Sequence, residues 1–225
     1  MKRAKDKTPQ QRIKTRKMAT IAMLCAAALI LVALVRIPIV LFLKYDPKDI
    51  VIVLGGFIYG PMTSALISLI VSFIEMVTIS SDGILGFIMN VIAGVSFSCP
   101  AAFIYKRKRT RAGALLGLLT GVITVSAVML LWNYIITPIF LNQPRETVVP
   151  LLTTAILPFN LLKGSINAGL TLLLYKPIVT GLRRARLIPP SDNSQPQKSR
   201  LGIILIALII IITSVLIILS MNSII

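Results

Sequence analysis

Residues 50–79, IVIVLGGFIYGPMTSALISLIVSFIEMVTI, decide how this chain folds. Gly60-Pro61 divides this apolar stretch, because proline lacks the amide donor of a helix interior and clashes with the preceding turn. As one helix, the stretch would place the next basic segment, residues 106–111, on the outer side of the membrane. Broken at Gly60-Pro61, it forms a short helix and a full one, and the basic segment stays inside.

The placement of the cations favours the broken form. With the break, nineteen of the 24 Lys and Arg residues fall on one side of the membrane and four on the other, while Lys163 lies within a span. Because excess Lys and Arg marks cytoplasmic loops, we predict a cytoplasmic N-terminus. The short arm, residues 50–60, is about 16 Å long as a helix and cannot cross a core of about 30 Å. It must be shielded by protein or lie beside a local thinning of the bilayer.

The composition is typical of an integral membrane protein. Of the 225 residues, 56 % are hydrophobic, and the mean hydropathy is +0.90. Several apolar runs approach or exceed the ~18 residues of a transmembrane helix. The net charge of +17 lies almost wholly between these runs, so the expected partner is the lipid bilayer and not nucleic acid. The chain has no histidine, its two cysteines are widely separated, and it contains no Walker-type loop. We therefore expect no metal site and no ATPase activity, and we expect that the chain is not an enzyme.

We divide the chain into four segments. Residues 1–17 form a basic cytoplasmic segment, and residues 18–182 form an all-α membrane domain of six helices. Residues 183–200 are rich in Pro, Ser and Gln and are predicted to be a cytoplasmic linker. Residues 201–221 are mostly Ile and Leu, and we predict an additional transmembrane helix that serves as an anchor or an interaction helix.

A polar stripe interrupts the apolar segment around residue 163. It consists of Asn160, Lys163, Gly164 and Asn167, whose spacing of i, i+3, i+4 and i+7 places them on one helix face. A lysine within a span is costly unless it faces a cavity, a partner or a ligand. The stripe therefore indicates a polar ligand pocket, or else a snorkelling or paired lysine with two amides that link helices.

Other polar side chains are predicted in the outer half of the same domain. Asn90 and Asn133 lie within spans, and Glu75 is the one acid inside a span. A pairing of Glu75 with Lys163 stays open, because the two depths in the membrane differ by up to ~10 Å. The outer loop, residues 36–49, combines an aromatic residue with mixed charges, which suits either a lid or a solvated connection.

Small residues mark two helix faces. Gly113, Gly117 and Gly121 are four residues apart and predict a packing seam. Ala22 and Ala26 form a similar face on the first span, where another helix of this chain or of a partner can approach closely.

Four strings resemble segments of the riboflavin-specific substrate-binding component of energy-coupling-factor (ECF) transporters. They are FLKYDPKDI at 42–50, GGFIYGP at 55–61, LWNY at 131–134 and PFNLLKG at 158–164. The likeness covers about residues 15–182, in order and at similar spacing. It implies a six-helix membrane protein that captures riboflavin with high affinity from outside. Such a component then associates with a transmembrane coupling subunit and two cytoplasmic ATPases.

The resemblance also implies roles for individual residues. At matching positions, Asn133, Asn160 and Lys163 would hydrogen-bond the vitamin. Tyr45 and its neighbour Asp46 would help to close a lid over it.

Five further residues complete the predicted sites. Asn90, Glu75 and Asn167 are added to the substrate site on polarity and helix face alone. The family's small-residue motif maps onto Ala22 and Ala26, which implies that they contact the coupling subunit. The predicted C-terminal helix departs from the six-helix pattern.

Three other functions stay open from the residues alone. The chain could capture another vitamin in the same fold, act as a stand-alone ion-coupled permease, or serve as a membrane scaffold whose polar stripe only packs.

Overall fold

The computed structural model describes residues 9–40, 43–185, 187–188 and 201–221. The first part of the predicted basic segment 1–17 and most of the predicted linker 183–200 lie outside these residues. In chain order the elements are α1 (Pro9–Leu34), β1 (Ile37–Val40), β2 (Leu43–Tyr45), α2 (Lys48–Tyr59), α3 (Pro61–Thr78), α4 (Gly83–Arg107), α5 (Arg111–Leu141), α6 (Arg145–Leu151), a π-helical stretch (Leu152–Ile156), α7 (Leu157–Arg184) and α8 (Leu201–Met221).

The predicted break between the two arms is confirmed. α2 ends at Tyr59, Gly60 has a φ of 100°, and α3 begins at Pro61. Glycine adopts this φ readily, and a proline at the first helical position gives up no helical hydrogen bond. Ten of the twelve α2 residues are buried, and α1, α3, α4 and α7 pack around them. Protein therefore shields the short arm.

The predicted glycine seam brings α4 and α5 into close contact. A Cβ on Gly117 would lie 2.6 Å from the carbonyl oxygen of Ala101, and a Cβ on Gly121 would collide with that of Phe97. Because a side chain does not fit at such separations, the seam specifies how these two helices pack.

The helices form a multi-pass membrane bundle. Within the described residues, five helical stretches are long and apolar enough to cross a membrane, namely Ile13–Leu34, Pro61–Thr78, Gly83–Arg107, Arg111–Leu141 and Arg145–Arg184. Large apolar side chains such as Phe73, Ile123 and Leu131 are exposed on their surfaces. Such exposed apolar surface suits contact with lipid.

The C-terminal helix packs along α7. A Cβ on Gly169 would lie 2.9 Å from Ile211 Cγ1 and 3.2 Å from the carbonyl oxygen of Ala207. Glycine therefore permits a close approach of the two helices. That residues 201–221 cross the membrane stays a prediction.

The stretch predicted as an outer loop contains two short strands. β1 and β2 pair antiparallel, with Ile37 opposite Tyr45 and Pro38 opposite Lys44. The sequence analysis did not predict this pairing, because two strands of three and four residues leave almost no periodic signal. We call this strand pair the lid and the end of the bundle that carries it the lid end.

The connection between α5 and α6 is short. α5 continues through Pro138 to Leu141, and α6 begins at Arg145. A proline is tolerated there because neighbouring helices in a membrane bundle support the interrupted backbone. Asn142, with a φ of 50°, supplies the left-handed residue that ends α5.

Candidate ligand-binding site

A cavity of about 70 Å³ lies at the lid end. Its apolar wall comes from Leu43, Met89, Ala93, Phe97, Val125, Met129 and Phe159. Its polar lining comes from Arg36, Lys44, Asp46, Asp49, Glu75, Asp82, Asn90, Asn160, Lys163 and Asn167. A broad apolar wall with a few convergent polar groups is typical of a small-molecule site.

The polar stripe of α7 faces this cavity. All four of its members, Asn160, Lys163, Gly164 and Asn167, line it. The predicted helix face is therefore present, and the ammonium group of Lys163 does not reach towards lipid headgroups. That these residues bind a ligand stays a prediction.

Lys163 pairs with carboxylates that follow the lid in the chain. Its Nζ donates to Asp46 Oδ2 at 3.0 Å and lies 3.8 Å from Asp49 Oδ2. Glu75, considered as a partner from the sequence, instead accepts a hydrogen bond from Lys48 and lies 3.9 Å from Arg36. The sequence could not decide between these partners, because helix depth alone does not determine where long side chains meet.

The electrostatic balance keeps Asp46 ionised. Burial alone would raise the pKa of Asp46, but the positive charges of Lys163 and Lys48 outweigh it and hold this pKa below its usual value. An ionised Asp46 next to the Lys163 ammonium group fastens the end of the lid to α7.

A second contact fastens the lid beside the first. The Tyr45 hydroxyl donates to Asn167 Oδ1 at 3.0 Å, and Asn167 Nδ2 donates to Asp49 Oδ2 at 3.3 Å. Burial raises the pKa of Tyr45, so its hydroxyl stays protonated and can donate. One ion pair and one phenol–amide hydrogen bond thus fasten the strand pair and the residue after it to α7.

Sequence reasoning missed several charged residues of this site. Lys48 and Asp49 are almost completely buried in the first turn of α2, and Arg36 bridges Glu75 and Asp82, the latter at 3.3 Å. Two charged residues that open an otherwise apolar helix were an available signal. Among the described residues, no three carboxylate, thiol or imidazole groups are placed to hold a metal ion.

Asn160 is partly engaged by the π-helical stretch that precedes α7. Its Nδ2 donates to the carbonyl oxygen of Ile156 at 2.8 Å, one turn earlier. Asn90 enters the same cavity from α4. The cavity therefore holds amides from two helices, α4 and α7.

Asn133 belongs to α5. It is buried in a second, smaller cavity of about 40 Å³ beside α4 and α5. Its Nδ2 donates to the Met129 carbonyl oxygen at 2.7 Å, and its Oδ1 accepts from Thr137 at 2.8 Å. The two cavities adjoin, because Asp82 and Met89 lie in the walls of both. That Asn133 binds a ligand stays a prediction.

The small-residue face of α1 is open. Ala22 and Ala26 are exposed, whereas Leu24, Cys25 and Ala28 are buried against the bundle. A helix from another protein can therefore approach this face, and the predicted contact with a coupling subunit stays a prediction.

The helical membrane bundle and its mixed polar and apolar cavity are the features of a membrane-embedded binding protein. The family model described as the substrate-specific component of ECF transporters matches residues 16–175, and the chain belongs to this family. Membership in a family of transporter components agrees with the expectation that the chain is not an enzyme.

Relatives and a solved structure cover most of the chain. The riboflavin transporter RibU of Staphylococcus aureus is 28 % identical over 178 residues, which are 75 % of this chain and 93 % of RibU. The riboflavin transporter FmnP of Bacillus subtilis is 29 % identical over 190 residues, which are 78 % of this chain and all of FmnP. The solved S component of a bacterial ECF transporter superimposes with a TM-score of 0.64 at 27 % identity, covering 76 % of this chain and 99 % of that one.

Proposed function

We propose that this chain captures riboflavin at the outer surface of a bacterial cell membrane, as the riboflavin-specific component of an ECF-type importer. The observation that carries the proposal is the position of Lys163, which lines the cavity under the lid together with the amides of Asn160 and Asn167. Similarity to proteins named riboflavin transporters supports the choice of vitamin.

The chemistry of the cavity suits this vitamin. Riboflavin combines a flat ring, with carbonyl and imide edges, and a chain that carries hydroxyl groups. The wall formed by Met89, Phe97 and Phe159 offers apolar surface to the ring. The amides and the Lys163 ammonium group offer donors and acceptors to its edges. A neutral ligand needs such groups more than it needs a strong charge.

Binding requires the lid to move. Sites for small organic molecules enclose about 300–1,000 Å³, whereas the cavity under the closed lid measures about 70 Å³. Lys163 is also occupied by Asp46 in this state. We infer that riboflavin enters when the lid opens, and that Lys163 then exchanges its lid carboxylate for the vitamin.

Charge supports the orientation of the bundle. Each acid among the described residues lies at or beside the helix end nearest the lid. These acids are Asp46, Asp49, Glu75, Asp82 and Glu146. The basic segments at residues 106–111 and 183–184 lie at the opposite end of the bundle. Because excess Lys and Arg marks the cytoplasmic side, the lid end faces outward. A coupling subunit and two ATPases would then act from the basic end, with Ala22 and Ala26 as the contact on α1.

The test is a fluorescence titration of the purified chain in detergent with riboflavin, whose emission should be quenched on binding. Lys163→Met should weaken binding at least ~10-fold, because a ligand hydrogen bond to a charged group is lost. Lys106→Met removes an exposed lysine at the basic end and serves as the matched control. No quenching by folded wild-type protein would refute the proposal.

A second experiment tests whether this chain transports riboflavin without the coupling subunit and the ATPases. Vesicles that contain this chain alone should bind riboflavin without accumulating it, and addition of the coupling subunit and ATPases with ATP should start uptake. Uptake by the chain alone under a proton or sodium gradient would favour the ion-coupled permease instead.

A further inference from the structure

The two ends of the lid are fastened to different parts of the bundle. At the end of β2, Tyr45 and Asp46 contact α7. Directly before β1, Arg36 donates to Asp82 Oδ2 at 3.3 Å and to the carbonyl oxygen of Ile79 at 3.4 Å. Both of these acceptors lie in the connection between α3 and α4. We call the Arg36–Asp82 ion pair the latch.

The latch is the weaker of the two fastenings. The side chains of Arg36 and Asp82 are 21 % and 27 % exposed, whereas those of Lys163 and Asp46 are 16 % and 9 % exposed. The Lys163–Asp46 contact is also the shorter one, at 3.0 Å, and the Tyr45 hydrogen bond to α7 lies beside it. An exposed ion pair adds little stability, while breaking a buried pair costs much more. We therefore expect the lid to detach first at the latch.

The two strands of the lid differ in the same direction. Leu43 in β2 is 5 % exposed and packs with Ile156 and Phe159, whereas Ile37 in β1 is 49 % exposed. Among the described residues, β2 is the one strand that pairs with β1. Movement of β1 therefore exposes less buried apolar surface than movement of β2, and it is less costly.

The cavity is least enclosed near this strand. Its lining residues from α2, α3 and α5 are buried, and so are those from α7 except Lys163. Three of its four lining residues from α4, Met89, Asn90 and Ala93, are only half-buried, as are the two latch residues and Lys44 on β2. The less buried part of the lining thus lies mainly at the latch and along the first half of α4.

We infer that the latch is the gate of the ligand site. When it opens, β1 moves away from the α3–α4 connection and the ligand passes between β1 and α4. Tyr45 and Asp46 keep the other end of the lid on α7 during entry, and the exchange at Lys163 follows. The inference rests on the proposed function for the identity of the ligand, and it adds Arg36 and Asp82 as positioning residues that control access.

Stopped-flow fluorescence of the full chain in detergent measures how fast riboflavin binds and dissociates. Arg36→Gln and Asp82→Asn each remove the ionic contact and keep a polar side chain. Each should raise both rate constants about 2–5-fold, as expected for loss of an exposed ion pair, and leave the dissociation constant within about 2-fold. The double variant should match the single ones, because all three break the same contact. Arg145→Gln removes an exposed arginine at the start of α6 and is the matched control.

Ionic strength supplies a readout that a merely structural contact would not move. Riboflavin is neutral, so salt does not screen its approach, but salt weakens an exposed ion pair. Raising NaCl from about 0.05 M to about 0.5 M should speed association with wild type and leave the rate of Arg36→Gln unchanged. Faster dissociation without faster association in the variants would make Arg36 a ligand contact and overturn the inference. Unchanged rates in both variants would overturn it as well.

Labelling without ligand separates this inference from the proposed function. Ala93→Cys places a thiol in the cavity lining on α4, and its reaction with a water-soluble maleimide, read at residue 93 by mass spectrometry, reports opening to solvent. Adding Arg36→Gln should speed this labelling about 2–5-fold, whereas adding Arg145→Gln should not.

Two measurements remain if Arg36→Gln does not fold. Asp82→Asn then carries the kinetic and labelling tests, and if it too fails to fold, the salt dependence of wild-type association decides. A labelling rate that is the same with and without the latch would overturn the inference. Absence of riboflavin binding by folded wild type would instead overturn the proposed function, while the labelling result would still stand.

Discussion

Replacing Asp46 by Asn should loosen the lid. The substitution keeps the shape of the side chain and removes the charge that meets Lys163 Nζ at 3.0 Å. At an effective dielectric constant of about 20, the direct attraction at this distance is about 5 kcal/mol, most of which desolvation offsets. Removing one partner of a buried pair costs about 3–5 kcal/mol when the other charge is left alone. Here Asp49 stays 3.8 Å from the ammonium group, so we expect about 2 kcal/mol.

Hydrogen exchange followed by mass spectrometry measures this loss without any ligand. If opening of the lid becomes easier by about 2 kcal/mol, the backbone amides of β1 and β2 should exchange about 30-fold faster. Exchange in α4 and α5 should not change. Glu146→Gln, which removes an exposed charge, should leave the lid at the wild-type rate.

Protonation of Asp46 should loosen the lid as Asp46→Asn does, and this requires a low pH. The two nearby lysines hold the pKa of Asp46 below its usual value despite burial, so folding favours the ionised form. That contribution is fully present above the unfolded-state pKa of about 3.9 and is lost as the pH falls through the lower folded-state value. Burial raises the pKa of Asp49, so a change in lid exchange at higher pH would report that second carboxylate and not Asp46. An unchanged lid in Asp46→Asn would refute the role assigned to this ion pair.

Two further predictions concern packing and partners. Gly121→Val should sharply lower the thermal midpoint of the detergent-solubilised protein, because the new side chain collides with the Phe97 carbonyl oxygen. Gly181→Val is the control: a Cβ there has nothing within 4 Å, so the midpoint should fall much less. Ala26→Trp, on the exposed face of α1, should leave riboflavin binding intact and reduce uptake by the assembled transporter, and unaltered uptake would remove this face from the proposed interface.

Some features follow from short stretches of the sequence because their causes are local. Gly60-Pro61 ends one helix and starts the next, because glycine readily adopts the φ of 100° that ends α2 and proline suits the first position of α3. The stripe that contains Lys163 follows from the helical repeat alone, and so does the glycine face around Gly117. The placement of cations likewise indicates the membrane class without any tertiary contact.

The partners of the buried charges were decided only by the tertiary structure. Lys163 pairs with Asp46 because the lid folds back over α7. Glu75 instead pairs with Lys48, which lies in the first turn of α2. Ion pairs between long side chains depend on helix rotation, on depth and on a short strand pair that carries no periodic signal. A one-dimensional pattern determines which face is polar, whereas three-dimensional packing determines which charges on those faces meet.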